Sequence, residues 1–226
     1  MHSYEIEIKV LLGNLEAKDK FMKAVEINFP AFKHSYTESQ KNHYFEWGNL
    51  LHLLGMFREH ISHEEAESLH KLTKEAKSFS VRTRGTKDET ILVVKATVND
   101  ETSSNGTARI EWEVDLAPMT LEAMDEKVLA AGFEYQAKWS RSRDEYRLNA
   151  ETALCIDKNA WYGYLAEFER VITDESKITE TRHELLRMIR SLGYDELDQD
   201  RLARMFDFYN KNWREYYGTE KVFTVL

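Results

Sequence analysis

A two-residue rhythm of charge constrains this chain more than any other feature. Residues 4–10 read Tyr-Glu-Ile-Glu-Ile-Lys-Val. On a strand, residues i and i+2 share a face and lie about 7 Å apart. Glu5, Glu7 and Lys9 therefore point one way and the aliphatic residues the other. The rhythm returns in Arg82 and Arg84, in Arg109, Glu111, Glu113 and Asp115, in Arg141, Arg143, Glu145 and Arg147, and in Glu167 and Glu169. Each run taken singly also reads as the wet face of a half-covered sheet. The set resists that reading, because same-sign neighbours repel and a solvated face alternates signs at lower cost. Acidic pairs and basic pairs also fall on different runs. Turned inward by a closing sheet, they would form a carboxylate wall and a guanidinium wall. Carboxylates suit Mg²⁺, which takes oxygen ligands and often completes its shell with phosphate. Arg and Lys suit the remaining phosphate oxygens. The guest this pattern implies is a metal–polyphosphate.

The rest of the chain supplies the elements for such a sheet. Apolar residues at helical spacing predict a helix over 15–28, ended by Pro30. Residues 33–47 read as extended, with an aromatic end at His43-Tyr44-Phe45-Glu46-Trp47 that is expected to pack. Residues 59–77, rich in Glu, His and Lys, predict an exposed helix or a mobile excursion. Strand-like runs follow at 78–85, 89–98, 107–116, 133–148, 152–158 and 163–172, with a helix at 119–131 and a turn cluster at 99–106. Two helices close the chain. Ile178, Leu185, Met188, Ile189 and Leu192 stripe the first, which Gly193 should stop. Leu202, Met205, Phe206, Tyr209 and Trp213 stripe the second. Many strands with short turns and few helices predict an α+β chain whose antiparallel sheet curls into a barrel.

Bulk properties narrow the function. The 226 residues carry 31 Lys+Arg against 40 Asp+Glu, a net charge of −9. That balance argues against a nucleic-acid partner bound by broad phosphate neutralisation. Cys155 is the single cysteine, so no internal disulfide forms and a reducing compartment is expected. No signal-peptide core or membrane-length apolar run is present, so the expected location is cytoplasmic. His52, His60, His63 and His70 lack the companions of a zinc site and read as a solvated segment. Asp157, at a strand end, reads as a metal ligand or a turn cap. Lys138 and Arg147 read as exposed.

The charged strands also carry a family resemblance. Glu5-Ile-Glu7-Ile-Lys9 resembles the ExExK signature of the CYTH superfamily, the triphosphate tunnel metalloenzymes. In chain order, His43-Tyr44-Phe45 is similar to the family's aromatic second strand, Arg82-Thr83-Arg84 to its RxR strand, and Lys95 to its strand lysine. Glu111 and Glu113 resemble its central ExE, Arg141 and Arg143 its KxR pair, and Glu167-Phe168-Glu169 its closing ExE. Arg141 stands where the family usually has Lys, and residues 48–77 form a long insertion.

The resemblance implies an eight-stranded antiparallel tunnel over residues 1–172, with residues 173–226 as helices packed on the same domain. It implies that Glu5, Glu7, Glu167 and Glu169 hold one or two Mg²⁺ or Mn²⁺ ions, with Glu111 and Glu113 as further ligands or supports. Lys9, Arg82, Arg84, Lys95, Arg141 and Arg143 would bind phosphates, the first four carrying catalysis. The implied partner is a triphosphate-bearing small molecule, with a homodimer also admitted and no membrane. A triphosphatase is the expected activity. A class IV adenylyl cyclase is the alternative, and a non-catalytic polyphosphate-binding module the second alternative.

Overall fold

The computed structural model describes residues 3–97, 108–159 and 161–224. The expected turn cluster at 99–106 lies outside them. The strands are β1 (Tyr4–Gly13), β2 (Lys33–Glu46), β3 (Ser78–Gly85), β4 (Thr90–Thr97), β5 (Ala108–Asp115), β6 (Glu134–Arg147), β7 (Ala153–Asn159) and β8 (Gly163–Ile172). The helices are α1 (Leu15–Asn28), α2 (Leu50–Phe57), α3 (His63–Glu75), α4 (Leu121–Ala130), α5 (Ile178–Ser191) and α6 (Gln199–Tyr216). The strands hydrogen-bond in the order β1-β5-β4-β3-β2-β6-β7-β8 and the sheet closes as a barrel, the fold class the charge rhythm and the resemblance predict. The chain divides into two compact units. One comprises Met1–Ser39, Thr102–Ala108 and Ser140–Leu226, the other Gln40–Glu101 and Arg109–Trp139.

In the first unit, β1 alternates buried and half-buried residues along its length. Ile6, Ile8 and Val10 go under helices α1 and α5, joined there by Phe21, Val25, Leu185 and Ile189. Phe168 of β8 meets Phe21 edge to face at 6.2 Å. Glu5, Glu7 and Lys9 are left on the other face. Antiparallel register carries that face across the unit: Glu7 opposes Glu169 and Lys9 opposes Glu167, Cys155 opposes Glu167, and Arg143 opposes Asp157. The Asn14 side chain caps α1, accepting from the Ala17 amide at 2.9 Å. Gly163 opens β8 at φ +78°, where a Cβ would lie 1.8 Å from the Gly13 carbonyl oxygen. Only glycine allows the two backbones this approach.

In the second unit, β2 through β5 pair in sequence. Leu92, Val94, Ala96, Trp112 and Val114 are buried together with Leu53, Phe57, Leu69 and Met124 of the helices. The segment expected to be an exposed helix or a mobile excursion is a packed helix. Ala66, Leu69 and Leu72 of α3 are buried, and Trp112 Nε1 donates to the Glu65 carbonyl at 3.0 Å. Ser62 and Glu65 form a reciprocal capping box. Three apolar residues at i, i+3 and i+6 suffice to anchor one helical face, which a low overall apolar content conceals. Helix α2, not predicted, supplies Leu50, Leu53 and Phe57 to the same core. Trp47, expected to pack, is instead 81% exposed. Its φ of 65° turns the chain out of β2 and takes the ring away from the sheet.

Candidate functional site

The charged face of the first unit holds an acidic grouping at its β1–β8 seam. Glu5, Glu7 and Glu169 each offer a carboxylate oxygen, and these oxygens all lie within 4.8 Å of one another. All three residues are half-buried. Lys9 touches Glu7 and lies 3.4 Å from Glu167. Arg143 Nη1 lies 3.5 Å from Glu169, so cations border the grouping on two sides. Half-buried carboxylates that stay close are a donor set for a hard divalent cation. The residues present fit Mg²⁺ or Mn²⁺. Among the described residues, no histidine joins the grouping.

Glu167, expected among the metal ligands, is placed differently. It is 5% exposed and touches Arg143, with Arg141 at 3.9 Å. Asp157 is neither turn cap nor exposed metal ligand. It is fully buried and accepts from Arg143 Nε at 2.7 Å and Nη2 at 2.9 Å, and from Arg141 Nη1 at 2.6 Å. Register explains this: Asp157 lies on the same sheet face as Arg143 and Glu167, so its carboxylate is held in the strand ladder rather than at the turn. Burial alone would lower the Arg143 pKa, but Asp157 and Glu167 outweigh it and hold the guanidinium firmly charged. Two guanidinium groups on two buried carboxylates form a compensated network that stiffens this face. Cys155 stands among these groups, its thiol pushed up by burial and by Glu169, so it stays protonated and unreactive.

The charged face of the second unit has the opposite balance. Lys95 lies 3.3 Å and Arg82 3.8 Å from Glu111. Arg82 Nη1 donates to the Tyr44 hydroxyl at 2.9 Å, and its guanidinium lies 5.6 Å from that ring's centre. Arg84 follows two residues on, opposite Asn42. Glu111 is thus occupied by cations, and Glu113 is exposed. Neither belongs to the acidic grouping. The Arg109 side chain is outside the described set. Arg82 and Lys95 both reach Glu111, and cations gathered on one strand face suit an anionic ligand.

On the opposite face of β2 and β3 lies a network that the sequence reading missed. Asp125 of α4 accepts from Thr83 and Tyr135 and is bonded to His43 Nδ1, each at 2.6 Å. Lys138 stands 3.7 Å from Asp125 and over the Tyr135 ring, rather than exposed. Burial pushes the Asp125 carboxyl up, but the His43, Thr83 and Tyr135 hydrogen bonds hold it below the usual range. This network fastens α4 to the sheet. Arg147 is exposed as expected.

The strand order defines a class of closed antiparallel barrels, here with carboxylates gathered on the β1–β8 pair and cations on β3 and β4. The comparisons with known proteins narrow that class. The CYTH domain family matches residues 3–203, and the chain belongs to it. No curated protein matches. Among solved structures, the PH1819 protein of Pyrococcus horikoshii OT3 is similar with a TM-score of 0.62 and 19% identity, over 87% of this chain and 94% of that one. The PH1012 protein of the same organism gives 0.59 and 14%, over 95% and 99%. A Vibrio parahaemolyticus protein provisionally named an adenylate cyclase gives 0.60 and 13%, over 92% and 99%. At these identities the likeness is one of fold.

Proposed function

We propose that this chain is a divalent-metal-dependent phosphohydrolase acting on a triphosphate. The observation that carries the reading is a pair of charged groupings of opposite kind. Glu5, Glu7 and Glu169 bring carboxylate oxygens together, while Arg82 and Lys95 gather at Glu111. A metal–polyphosphate carries both the cation that suits the first and the phosphate oxygens that suit the second. Glu5, Glu7 and Glu169 would hold Mg²⁺ or Mn²⁺, which when bound supplies charge neutralisation to the phosphates. Lys9 steadies Glu7 and Glu167 beside it. Arg82, Arg84 and Lys95 would draw charge from phosphate oxygens as it develops in the transition state. Arg141 and Arg143, already bound to Asp157 and Glu167, act first as supports and contact phosphate only by sharing those carboxylates.

A metal-binding grouping favours catalysis over a purely binding role, because holding polyphosphate requires the cations more than the ion. Class IV adenylyl cyclase, the alternative, uses the same charges, and the provisional name of the Vibrio relative keeps it in view. Among the described residues, no helix is long and apolar enough to cross a membrane, and the lone Cys155 fits a cytoplasmic setting. The test is incubation with Mg²⁺ or Mn²⁺ and tripolyphosphate, thiamine triphosphate, ATP or GTP. Phosphate release supports the hydrolase, cyclic AMP selects the cyclase, and neither product from any substrate rejects both.

A further inference from the structure

Beside Arg141 on the charged face of the first unit, two buried neutral groups are joined to each other. Asn159, in register with Arg141, is 2% exposed, and Tyr162 is 7% exposed. Asn159 Nδ2 donates to the Tyr162 hydroxyl at 3.0 Å. The other end of that amide, Oδ1, is buried with no hydrogen-bond partner among the described residues. The Tyr162 oxygen accepts from Asn159, and no acceptor for its own proton occurs among the described residues. The phenol stands close enough to Asp157, Glu167 and Arg141 to feel their charges. Leaving such groups buried and unsatisfied is costly.

The pair is also held rigidly. Trp161, fully buried, packs between Tyr162 and the C-terminal helix, with Tyr209 at 4.7 Å and Phe206 at 5.5 Å. The Phe223 amide then donates to the Trp161 carbonyl at 2.7 Å. The C-terminal helix and the segment after it thereby fix the β7–β8 turn, so little ordering remains to be done on binding.

We propose that Asn159 and Tyr162 are specificity residues that select a triphosphate carrying a neutral hydroxyl or amide-type group over a bare polyphosphate. This rests on the triphosphate reading above. The reasoning is one of complementarity. The pair presents one unfilled acceptor and one unfilled donor side by side. Exchanging the amide's oxygen and nitrogen still leaves one donor and one acceptor. A phosphate oxygen only accepts and so satisfies half of the pair. A sugar hydroxyl, or the edge of a base, both donates and accepts and satisfies all of it. The neutral pair thus takes the organic group and leaves the triphosphate to charged side chains. A site built to hydrogen-bond a neutral group also discriminates against a ligand lacking it, since its own groups are then left buried and unpaired.

The test compares ATP and its β,γ-methylene analogue, whose terminal phosphate the proposed hydrolase cannot release, with tripolyphosphate. Affinities for the analogue and for tripolyphosphate are measured by calorimetry with Mg²⁺, and kcat/KM for ATP and for tripolyphosphate, in wild type, Tyr162→Phe and Asn159→Ala. Tyr162→Phe keeps the ring against Trp161, and thermal melts check both folds. Wild type should bind the analogue more tightly than tripolyphosphate. Each variant should lose about tenfold on the nucleotide and stay within about twofold on tripolyphosphate. Equal losses on both ligands, no loss on either, or a wild type that binds tripolyphosphate as tightly as the analogue overturns the proposal. The wild-type comparison decides even where a variant fails to fold. If wild type binds neither ligand, the triphosphate reading itself has failed. If it binds and cleaves tripolyphosphate while the variants leave nucleotide binding untouched, only the specificity assignment is lost.

Discussion

Glu7 and Glu169 stand directly opposite each other across the β1–β8 pair. Like charges in that position destabilise a sheet, and Lys9 and Arg143 offset part of that repulsion. The metal-free protein therefore carries a local electrostatic cost that a divalent ion removes. Mg²⁺ at a hundred times its Kd should raise the Tm by about 5–10 °C. In Glu169→Gln the metal-free Tm should hold or rise, and the Mg²⁺ increment should vanish. An undiminished increment in the variant would place the ion elsewhere.

Arg143 offers the opposite case, a charge already matched. Asp157 is fully buried and receives two of its hydrogen bonds from Arg143. Removing one partner of a buried ion pair leaves the other uncompensated. Arg143→Ala should cost about 3–5 kcal/mol in denaturant unfolding, and Arg143→Lys, lacking the planar fork, should recover only part of it. A cost below about 1 kcal/mol for Arg143→Ala would show that water or a neighbour replaces the guanidinium.

Acid should expose the Asp125 network. Against burial, which pushes it up, hydrogen bonds from His43, Thr83 and Tyr135 hold the folded-state pKa below the usual carboxylate range. A carboxyl with a depressed folded pKa stabilises above its unfolded pKa and loses that stabilisation as pH falls through the folded one. Asp125→Asn should therefore be less stable than wild type at pH 7. The gap should narrow only below about pH 4. A gap that stays constant down to pH 2 would mean that packing, and not the ionised carboxylate, holds α4.

Helix α3 gives a test of packing. Leu69 is fully buried, so Leu69→Ala should cost about 2–5 kcal/mol. Amide hydrogens around Leu69 and Leu72 should exchange slowly, as those of the strands do. Fast exchange there in the native protein would show the helix to be detached.

The strands were legible because a charge at every second position leaves one face for the core, and β1 fulfils this with its alternating burial. Helix α1 and the two closing helices were legible from Pro30, Gly193 and their apolar stripes. The α2–α3 packing was hidden, because burial of Ala66, Leu69 and Leu72 depends on the partner surface around Trp112. Parity put Glu5 with Glu7 and Glu167 with Glu169, and only the family resemblance brought the two pairs to one metal site. What parity could not give was pairing across strands. Glu167 shares a face with Glu169, yet register sets it against Lys9 and Cys155 and within reach of Arg143. Asp157 was read as a metal ligand or a turn cap because its place on a ladder depends on the same register. Asn159 and Tyr162 carry no charge pattern, and only their burial marks them.

On the proposed function Glu5 and Glu7 serve turnover and not folding, and one comparison separates the two. Phosphate release from ATP and tripolyphosphate is measured with Mg²⁺ for wild type and for the Glu5→Gln/Glu7→Gln double variant, alongside their thermal melts. The substitutions are nearly isosteric and remove only charge. The account predicts Mg²⁺-dependent release by wild type, and a fall of at least about a hundredfold in the variant at an unreduced metal-free Tm. Normal Mg²⁺-dependent release by a folded double variant would contradict it.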